Sequence, residues 1–510
     1  MSEPRYAGIT LQPVPTGSTT GARSLTDFLC LLTYGIGFVL LAVVVYQATK
    51  PSATPEFISG LYVAASLTVL LAATLSRRTG LLTLIVAYFF AVFIAIPAAI
   101  QTRQDIYPFG DSATYTNEQL TFGLLALALG QLALLAGMGL VSAHYASKPK
   151  TPGLLEQETT QLSLRPALQM SLVFTAVAAV LGVLAGPAAL FAARADDVEA
   201  ASMRVQALLI GRSCSVVALL LCTLAIRCSA DHKQRQSAWL CMIPVAAVVL
   251  VVNFPPALPR FHLLGMLLAV VVLLFNFRRP IVKLSFVILS TFFLLYLFAA
   301  VKDLRASSLA QSFSANAFAQ WDPRRYLLSE DFDGFKQTVD TLVYFSEAPL
   351  RGGANFLGVL LFWVPRSVWP GKPVHTGQVV SEGLGYWYTN VSNPLVAEAF
   401  AAWGWIGVIV VLLIAGILIM RLERSSRTSG AISVPSLTLY AVATGYAVIL
   451  LRGALNAVAP MICTAFVLAA IVALVYRRDR ARREDAALNS VPTPVARPWH
   501  SKREPARTDV

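Results

Sequence analysis

Charge is what this sequence has least of. Of its 510 residues only 13% are Asp, Glu, Lys or Arg, while 56% are hydrophobic. Soluble domains carry about 25% charge, so a soluble globular fold is excluded. Hydrophilic stretches are few as well: a single long one, roughly 302–393, lies between apolar runs. Metal-binding cysteine patterns are missing. Cys30, Cys214, Cys222, Cys228, Cys241 and Cys463 all fall in or beside apolar runs, none at metal-ligand spacing. They read as small packing residues, and no metal centre is expected. The polar opening up to Asp27 shows no cleavable signal pattern, so the first apolar run is expected to act as its own insertion signal.

What the chain does have is a series of apolar runs near the ~20 residues that a bilayer crossing needs. Twelve are placed at about 28–48, 57–76, 80–101, 119–143, 167–193, 207–226, 238–253, 261–277, 281–301, 394–420, 435–451 and 461–476. In hydrocarbon every backbone polar group must be satisfied internally, so each is expected to be helical. The predicted fold class is an all-α polytopic integral membrane protein with about twelve transmembrane helices and one large outer loop. Its parts are a disordered cytoplasmic N-tail (1–27) rich in Pro, Gly, Ser and Thr, a nine-helix bundle (28–301), the loop (302–393), three further helices (394–476) and a basic tail (477–510).

The net charge of +13 could suggest nucleic acid, but its distribution speaks for topology. Arg477, Arg478, Arg480, Arg482 and Arg483 follow the last span directly. With the N-terminus inside, Arg77 and Arg78, then Lys148, Lys150 and Arg165, then Arg227, Lys233 and Arg235, then Arg278, Arg279 and Lys283, and finally Arg421, Arg424 and Arg427 all fall on the inner side. Each of these short segments is richer in Lys and Arg than its short outer neighbours, apart from a near tie at Arg194, Arg204 and Arg212. That is the positive-inside pattern. It puts both termini in the cytoplasm and the long loop outside. No basic and aromatic patch of the nucleic-acid kind accompanies it. Gly182 and Gly186 form a G-x-x-x-G pair that predicts close helix packing in the fifth span.

A connection as long as 302–393 is usually functional or disordered, and this one is too aromatic for disorder. Ser329 to Glu347 reads as an amphipathic helix on the membrane surface, with Phe332, Phe335, Val339, Leu342, Val343 and Phe345 apolar and the acids and Lys336 opposite. Asn355 to Trp363 is apolar but too short to span, which suggests a re-entrant dip. It leads into Phe362–Pro373, where Arg366 and Lys372 are framed by Trp363, Trp369 and three prolines. Prolines fix φ and remove donors, so a rigid irregular turn is expected. Such a turn suits an anionic, sugar-bearing ligand. It equally suits an interfacial anchor with Trp and Lys at headgroup level. Tyr386, Trp387 and Tyr388 offer flat faces for either purpose.

Glu398 should lie just inside the outer boundary. A carboxylate beside hydrocarbon is a functional candidate, here as a general base or acid. The plain alternative is a structural pair with Arg366 or Arg452. Arg452 follows the eleventh span, Arg204 and Arg212 (with Arg194) flank the sixth, and Arg260 closes a proline-rich turn. Guanidinium forks take phosphate bidentately, and an outward-facing set needs an anionic ligand there. A lipid-linked pyrophosphate is one.

An apolar run ending in Pro365-Arg366-x-x-Trp369-Pro370-x-Lys372-Pro373 is followed by a Gly/Tyr-rich stretch. Then come Asn393-Pro394-x-x-x-Glu398, Trp403-Gly404-x-x-Gly407 and a late Arg452-Gly453. Together these resemble bacterial O-antigen polymerases of the Wzy type, a family of oligosaccharide repeat-unit polymerases related to the O-antigen ligases. The resemblance implies a fold like the C-type membrane glycosyltransferases. It implies glycan transfer from undecaprenyl pyrophosphate to a sugar hydroxyl of another lipid-linked unit at the outer face of the inner membrane. Arg366, Lys372, Arg452, Arg204, Arg212 and Arg260 would hold the pyrophosphate. Arg366 and Arg452 would neutralise the leaving group. Glu398, or His375 as second choice, would take the proton from the acceptor hydroxyl. Trp363, Trp369, Tyr386, Trp387 and Tyr388 would line the glycan path. The leaving group is already activated, so no cofactor or metal is implied. The implied partners are the lipid-linked oligosaccharide, membrane lipid and a chain-length regulator. The Arg-x10-Gly spacing of some members does not start at Arg194, because Val205 occupies the glycine place.

Three other readings stay open. An O-antigen ligase shares this chemistry. A lipid-linked sugar flippase suits twelve spans, but the chain shows no internal repeat, and its polar groups gather at one face. A non-catalytic scaffold leaves the converging cations unexplained.

Overall fold

The computed structural model describes residues 54–110, 115–147, 164–191, 203–229, 231–297, 322–428 and 433–489. The N-tail, the first expected span (28–48), Arg194, the first part of the long loop and the end of the basic tail lie outside these residues.

Among the described residues every regular element is helical. The first eight helices are α1 (Thr54–Leu75), α2 (Leu81–Gln104), α3 (Asn117–Ser147), α4 (Arg165–Ala185), α5 (Met203–Cys228), α6 (His232–Val252), α7 (Arg260–Leu274) and α8 (Pro280–Tyr296). The loop contributes α9 (Gly334–Glu347), α10 (Ala354–Leu360) and α11 (Thr376–Gly383). The chain closes with α12 (Leu395–Thr428), α13 (Val434–Arg452) and α14 (Leu455–Asn489). Within the described residues nine helices are long and apolar enough to cross a membrane: α1 to α6 and α12 to α14. Helices α7 and α8 are apolar but shorter. The architecture is that of a polytopic membrane protein. Helix α14 continues past the expected end of the last span into the basic tail.

Helix α2 runs through the centre and is enclosed almost throughout. It carries a π turn at Phe89–Ala95, just before Pro97. Proline has no N–H to give the preceding turn, and a π turn accommodates that loss.

Two helix pairs meet through glycine. A Cβ at Gly137 of α3 would lie 2.2 Å from the Leu413 carbonyl of α12, and one at Gly416 would lie 2.0 Å from the Leu134 carbonyl. Helices α7 and α13 cross in the same way, each of Gly265 and Gly445 facing the other's carbonyl at 2.6 Å from a Cβ position. The Gly182/Gly186 pair behaves differently. Gly186 ends α4 with φ +85° and meets nothing within 4 Å, and Gly182 touches only side chains. Followed by Pro187, Gly186 stops the helix rather than packing it.

Charged side chains also close the end of the bundle opposite the long loop. Lys283 of α8 is buried and donates to the carbonyls of Ala73 and Ser76 and to Thr79 Oγ1. Glu423 of α12 accepts from the backbone and hydroxyl of Thr83 at the start of α2. Each supplies a partner that a helix end lacks.

The loop helix α9 departs from expectation. Its residues from Gly334 to Leu342 are all buried, polar ones included, and it packs against α3 and α12 instead of lying on a membrane surface. Its polar face is satisfied by other parts of the chain.

Replacing Gly265 by Leu should force α7 and α13 apart and cost about 1–3 kcal/mol. Thermal unfolding in detergent should show the drop for Gly265→Leu and none for Gly139→Leu, since Gly139 faces open space.

Candidate functional site

Two arginines meet at the loop end of the bundle. Helix α7 begins with Arg260 and α13 ends with Arg452, and the glycine crossing holds the two helices together. Both guanidinium groups face the short turn before α9. Arg260 Nη1 lies 2.9 Å from Asp331 Oδ2, and Arg452 Nη2 lies 3.0 Å from Asp333 Oδ1. Arg452 also donates to the carbonyls of Glu330 and Asp331 and lies 4.3 Å above the ring of Phe261. Tyr326 donates to Asp331 at 2.9 Å, and Ser392 donates to Asp333 through both its hydroxyl and its backbone N–H. The aspartates are the more deeply buried members, with 5% and 1% of their side chains exposed against 17% and 18% for the arginines.

A small apolar crevice of about 40 Å³ opens between α2, α7, α8 and α13. Phe93, Leu264, Leu268, Phe286, Phe293 and Val448 are among its lining residues. Leu264 stands one turn from Arg260 on α7, and Val448 one turn from Arg452 on α13. Phe93 packs 5.9 Å from Phe261 and stacks 5.4 Å from Phe332, the residue between the two aspartates. Packed aromatic rings, Phe261 and Phe332, thus connect the cation pair to Phe93 in the crevice wall.

Glu398 lies in a different place. It is fully buried in the first turn of α12. Its Oε2 accepts from Thr376 Oγ1 (2.6 Å) and Asn355 Nδ2 (2.7 Å), and its Oε1 from the Leu455 N–H (3.3 Å). It thus ties α10, α11 and the start of α14 to α12. The expected partners Arg366 and Arg452 are not its hydrogen-bond donors. The nearby cation is Arg351, which donates to Thr376 and the Val374 carbonyl.

The 362–373 turn is irregular and closed on itself, as its prolines require. Arg366 is exposed and donates to the Lys372 carbonyl, while Lys372 Nζ donates to the carbonyls of Phe362 and Val364. Lys372 acts as the staple of the turn. Trp363 faces outward and Trp369 is half-buried. His375 caps α11: its Nδ1 accepts the Gln378 N–H at 3.0 Å. A neutral ring that accepts at Nδ1 carries its proton on Nε2, so it can donate there but offers no free basic nitrogen. Burial, reinforced by Arg351, pulls its pKa down to about 4 against the opposing pull of Glu382.

The tyrosines of the expected glycan path belong to a buried polar cage. Lys336 is fully buried, pairs with Asp340 at 2.8 Å, donates to Tyr388 at 2.9 Å and lies 4.2 Å from the centre of the Tyr386 ring. Tyr115 and Tyr386 both donate to Asp340 Oδ1. Burial pushes the Asp340 carboxyl above the usual carboxylate range, against the pull of Lys336 and the two hydroxyls. Phe109 stacks on Tyr388, while Trp387 stands 83% exposed.

Of the remaining cations, Arg212 is buried and donates to the carbonyls of Val252 and Ala257, closing the connection that leads into α7. Arg204 is exposed at the start of α5. The arrangement therefore unites Arg260 and Arg452 and puts Arg366 and Lys372 on a separate turn. Sequence reasoning missed Asp331, Asp333, Ser392, Arg351, Asn355 and Thr376. Only Asn355, a lone amide in an apolar run, carried a local signal. No protein-family model, curated protein or solved structure matches the chain.

Glu398→Ala would leave the Thr376 hydroxyl and the Leu455 N–H without their acceptor, while Asn355 keeps the Glu398 carbonyl, and should destabilise the protein by about 1–3 kcal/mol for each lost acceptor. Glu398→Gln, whose amide oxygen can still accept from Thr376 or Asn355, should retain most of the melting temperature. The His375 cap gives a pH signature. The folded ring stays neutral down to about pH 4 while an unfolded one protonates near 6.5, so the unfolded state binds more protons between those values. Stability should fall as pH drops from about 6.5 to about 4. His375→Asn, which keeps a cap acceptor, should lose that part of the pH dependence in thermal scans.

Proposed function

We propose that the chain polymerises lipid-linked oligosaccharide repeat units at the outer face of a bacterial inner membrane. The glycan moves from undecaprenyl pyrophosphate to a sugar hydroxyl of a second lipid-linked unit. The observation that carries the reading is the arginine pair standing one helical turn above an apolar crevice. A ligand that fits both has a hydrocarbon tail and an anionic head. The resemblance over residues 350–455 adds the glycan chemistry.

In this reading the isoprenoid chain enters the crevice beside Phe93 and Leu264, and the pyrophosphate meets Arg260 and Arg452. The acceptor oxygen bonds to the anomeric carbon as the bond from that carbon to the phosphate oxygen breaks. Negative charge grows on the departing diphosphate, and the two arginines that hold it stabilise that charge. Glu398 and His375 are already committed to hydrogen bonds. The departing diphosphate, which gains charge as the bond breaks, takes up the hydroxyl proton. Exposed Arg366 and the exposed aromatic faces of Trp363 and Trp387 lie along the path of the glycan. The chemistry needs no nucleotide or metal, because the donor is already activated.

The test is a gel of lipid-linked glycans from cells lacking the gene, complemented with wild type, Arg452→Ala or Arg366→Ala at matched membrane abundance. Removing one buried charge contact costs about 2–5 kcal/mol, so Arg452→Ala should stall at one repeat unit, as the null does. Long undecaprenyl-linked chains in the null would exclude polymerisation. If those chains fail to reach lipid A–core, the ligase reading takes its place.

A further inference from the structure

We infer that Asp331 and Asp333 set the specificity of the arginine pair, acting as built-in carboxylates that only a headgroup with two adjacent phosphate charges displaces. This rests on the reading of Arg260 and Arg452 as the headgroup site. A bare pair of arginines beside an apolar crevice would attract every anionic lipid in the leaflet. Here each guanidinium already holds one carboxylate, so the cluster of two cations and two anions is neutral before any ligand arrives.

The spacing of the carboxylates is fixed. Phe332, between them in sequence, is fully buried and stacked on Phe93, and its carbonyl accepts from Gln101 of α2. Each carboxylate also has a second partner. Asp331 accepts from the Tyr326 hydroxyl, and Asp333 accepts twice from Ser392. When an arginine turns to a phosphate, its aspartate therefore keeps a hydrogen bond, and the exchange leaves no bare buried anion. A single phosphate reaches one fork only and brings its charge beside the carboxylate it has displaced, which opposes binding, whereas a diphosphate meets the same repulsion with two forks to offset it. A diphosphate satisfies both forks at once. The filter thus separates the lipid diphosphate donor from single-phosphate lipids of the same tail.

The filter is tested with the full chain in phosphatidylcholine nanodiscs. Four probes are compared by native mass spectrometry: a prenyl diphosphate, the prenyl monophosphate of equal chain length, phosphatidylglycerol and inorganic pyrophosphate. Wild type should prefer the prenyl diphosphate over the monophosphate by about tenfold or more, and should bind inorganic pyrophosphate more weakly than the prenylated form. Asp331→Asn with Asp333→Asn should raise monophosphate and phosphatidylglycerol binding and bring the preference towards one. Equal binding of diphosphate and monophosphate by wild type overturns the proposal, and this arm needs no variant. Loss of diphosphate binding in a folded double variant also overturns it, because the aspartates would then hold the arginines for the ligand. A melting curve checks the fold, and Asp333→Asn alone replaces the double variant if that one unfolds. Unchanged binding of every probe by Arg260→Gln with Arg452→Gln removes the headgroup reading itself.

Discussion

Arg452 is the last residue of α13, and a guanidinium at the edge of hydrocarbon must find partners there. Much of the loop end follows from how that demand is met. The glycine crossing of α7 and α13 brings Arg260 to the same place, and two like charges cannot share it unless something negative comes between. Asp331 and Asp333 do this from one short turn. Their position fixes Phe332 on Phe93 and sets the start of α9, where Asp333 also suits the positive end of the helix. Ser392, bound to Asp333, then ties the segment entering α12 to the same point. One act of charge balance thus locates the turn, the loop helix and the strap that follows it.

Charged groups inside the bundle are not by themselves evidence of chemistry. Lys283 and Glu423 close helix ends opposite the long loop, and Glu398 ties two loop helices and the start of α14 to α12. All three are fully enclosed, with their polar atoms directed at backbone or at neighbouring side chains of the chain itself. Arg260 and Arg452 differ in one respect: each side chain remains partly accessible, and each stands one turn from a residue that lines an apolar crevice. Accessibility beside a cleft, rather than charge within the membrane, picks them out.

The polytopic helical architecture was legible because hydropathy over about 20 residues reports directly on the medium a helix must cross; the count of twelve was not, since α7 and α8 are shorter than a crossing needs. Helix α9 was legible as a helix but not in its placement. Periodicity says which face is apolar, and it cannot say that the polar face will meet other protein instead of water. The pairing of Arg452 with Asp333 joins residues 119 positions apart, and that of Glu398 with Leu455 joins residues 57 apart. No local pattern reports such contacts. The glycines show the same limit. Gly182 and Gly186 advertise a motif on one helix, whereas the close approach uses Gly265 and Gly445, single glycines on two helices. His375 was visible as a titratable group in a loop, but its role as a helix cap depends on where α11 begins.

Helix α9 links the two ends of the proposed substrate. Asp333 stands at its first turn with the arginine pair. Asp340, seven residues on, holds the cage from which Trp387 projects. At 1.5 Å per residue these points lie about 10 Å apart along one axis. Because α9 is enclosed on its polar and apolar faces alike, that separation belongs to the packed core and not to a surface loop. The proposed reaction, with a lipid head held at one point and a growing glycan passed over another, needs such a fixed interval. Burying Lys336 and Asp340 as a pair is costly in itself, since removing two charges from water offsets much of their attraction. The expense is understandable if the pair's task is to position Tyr386 and Tyr388, and through them Trp387, at a set distance from the arginines.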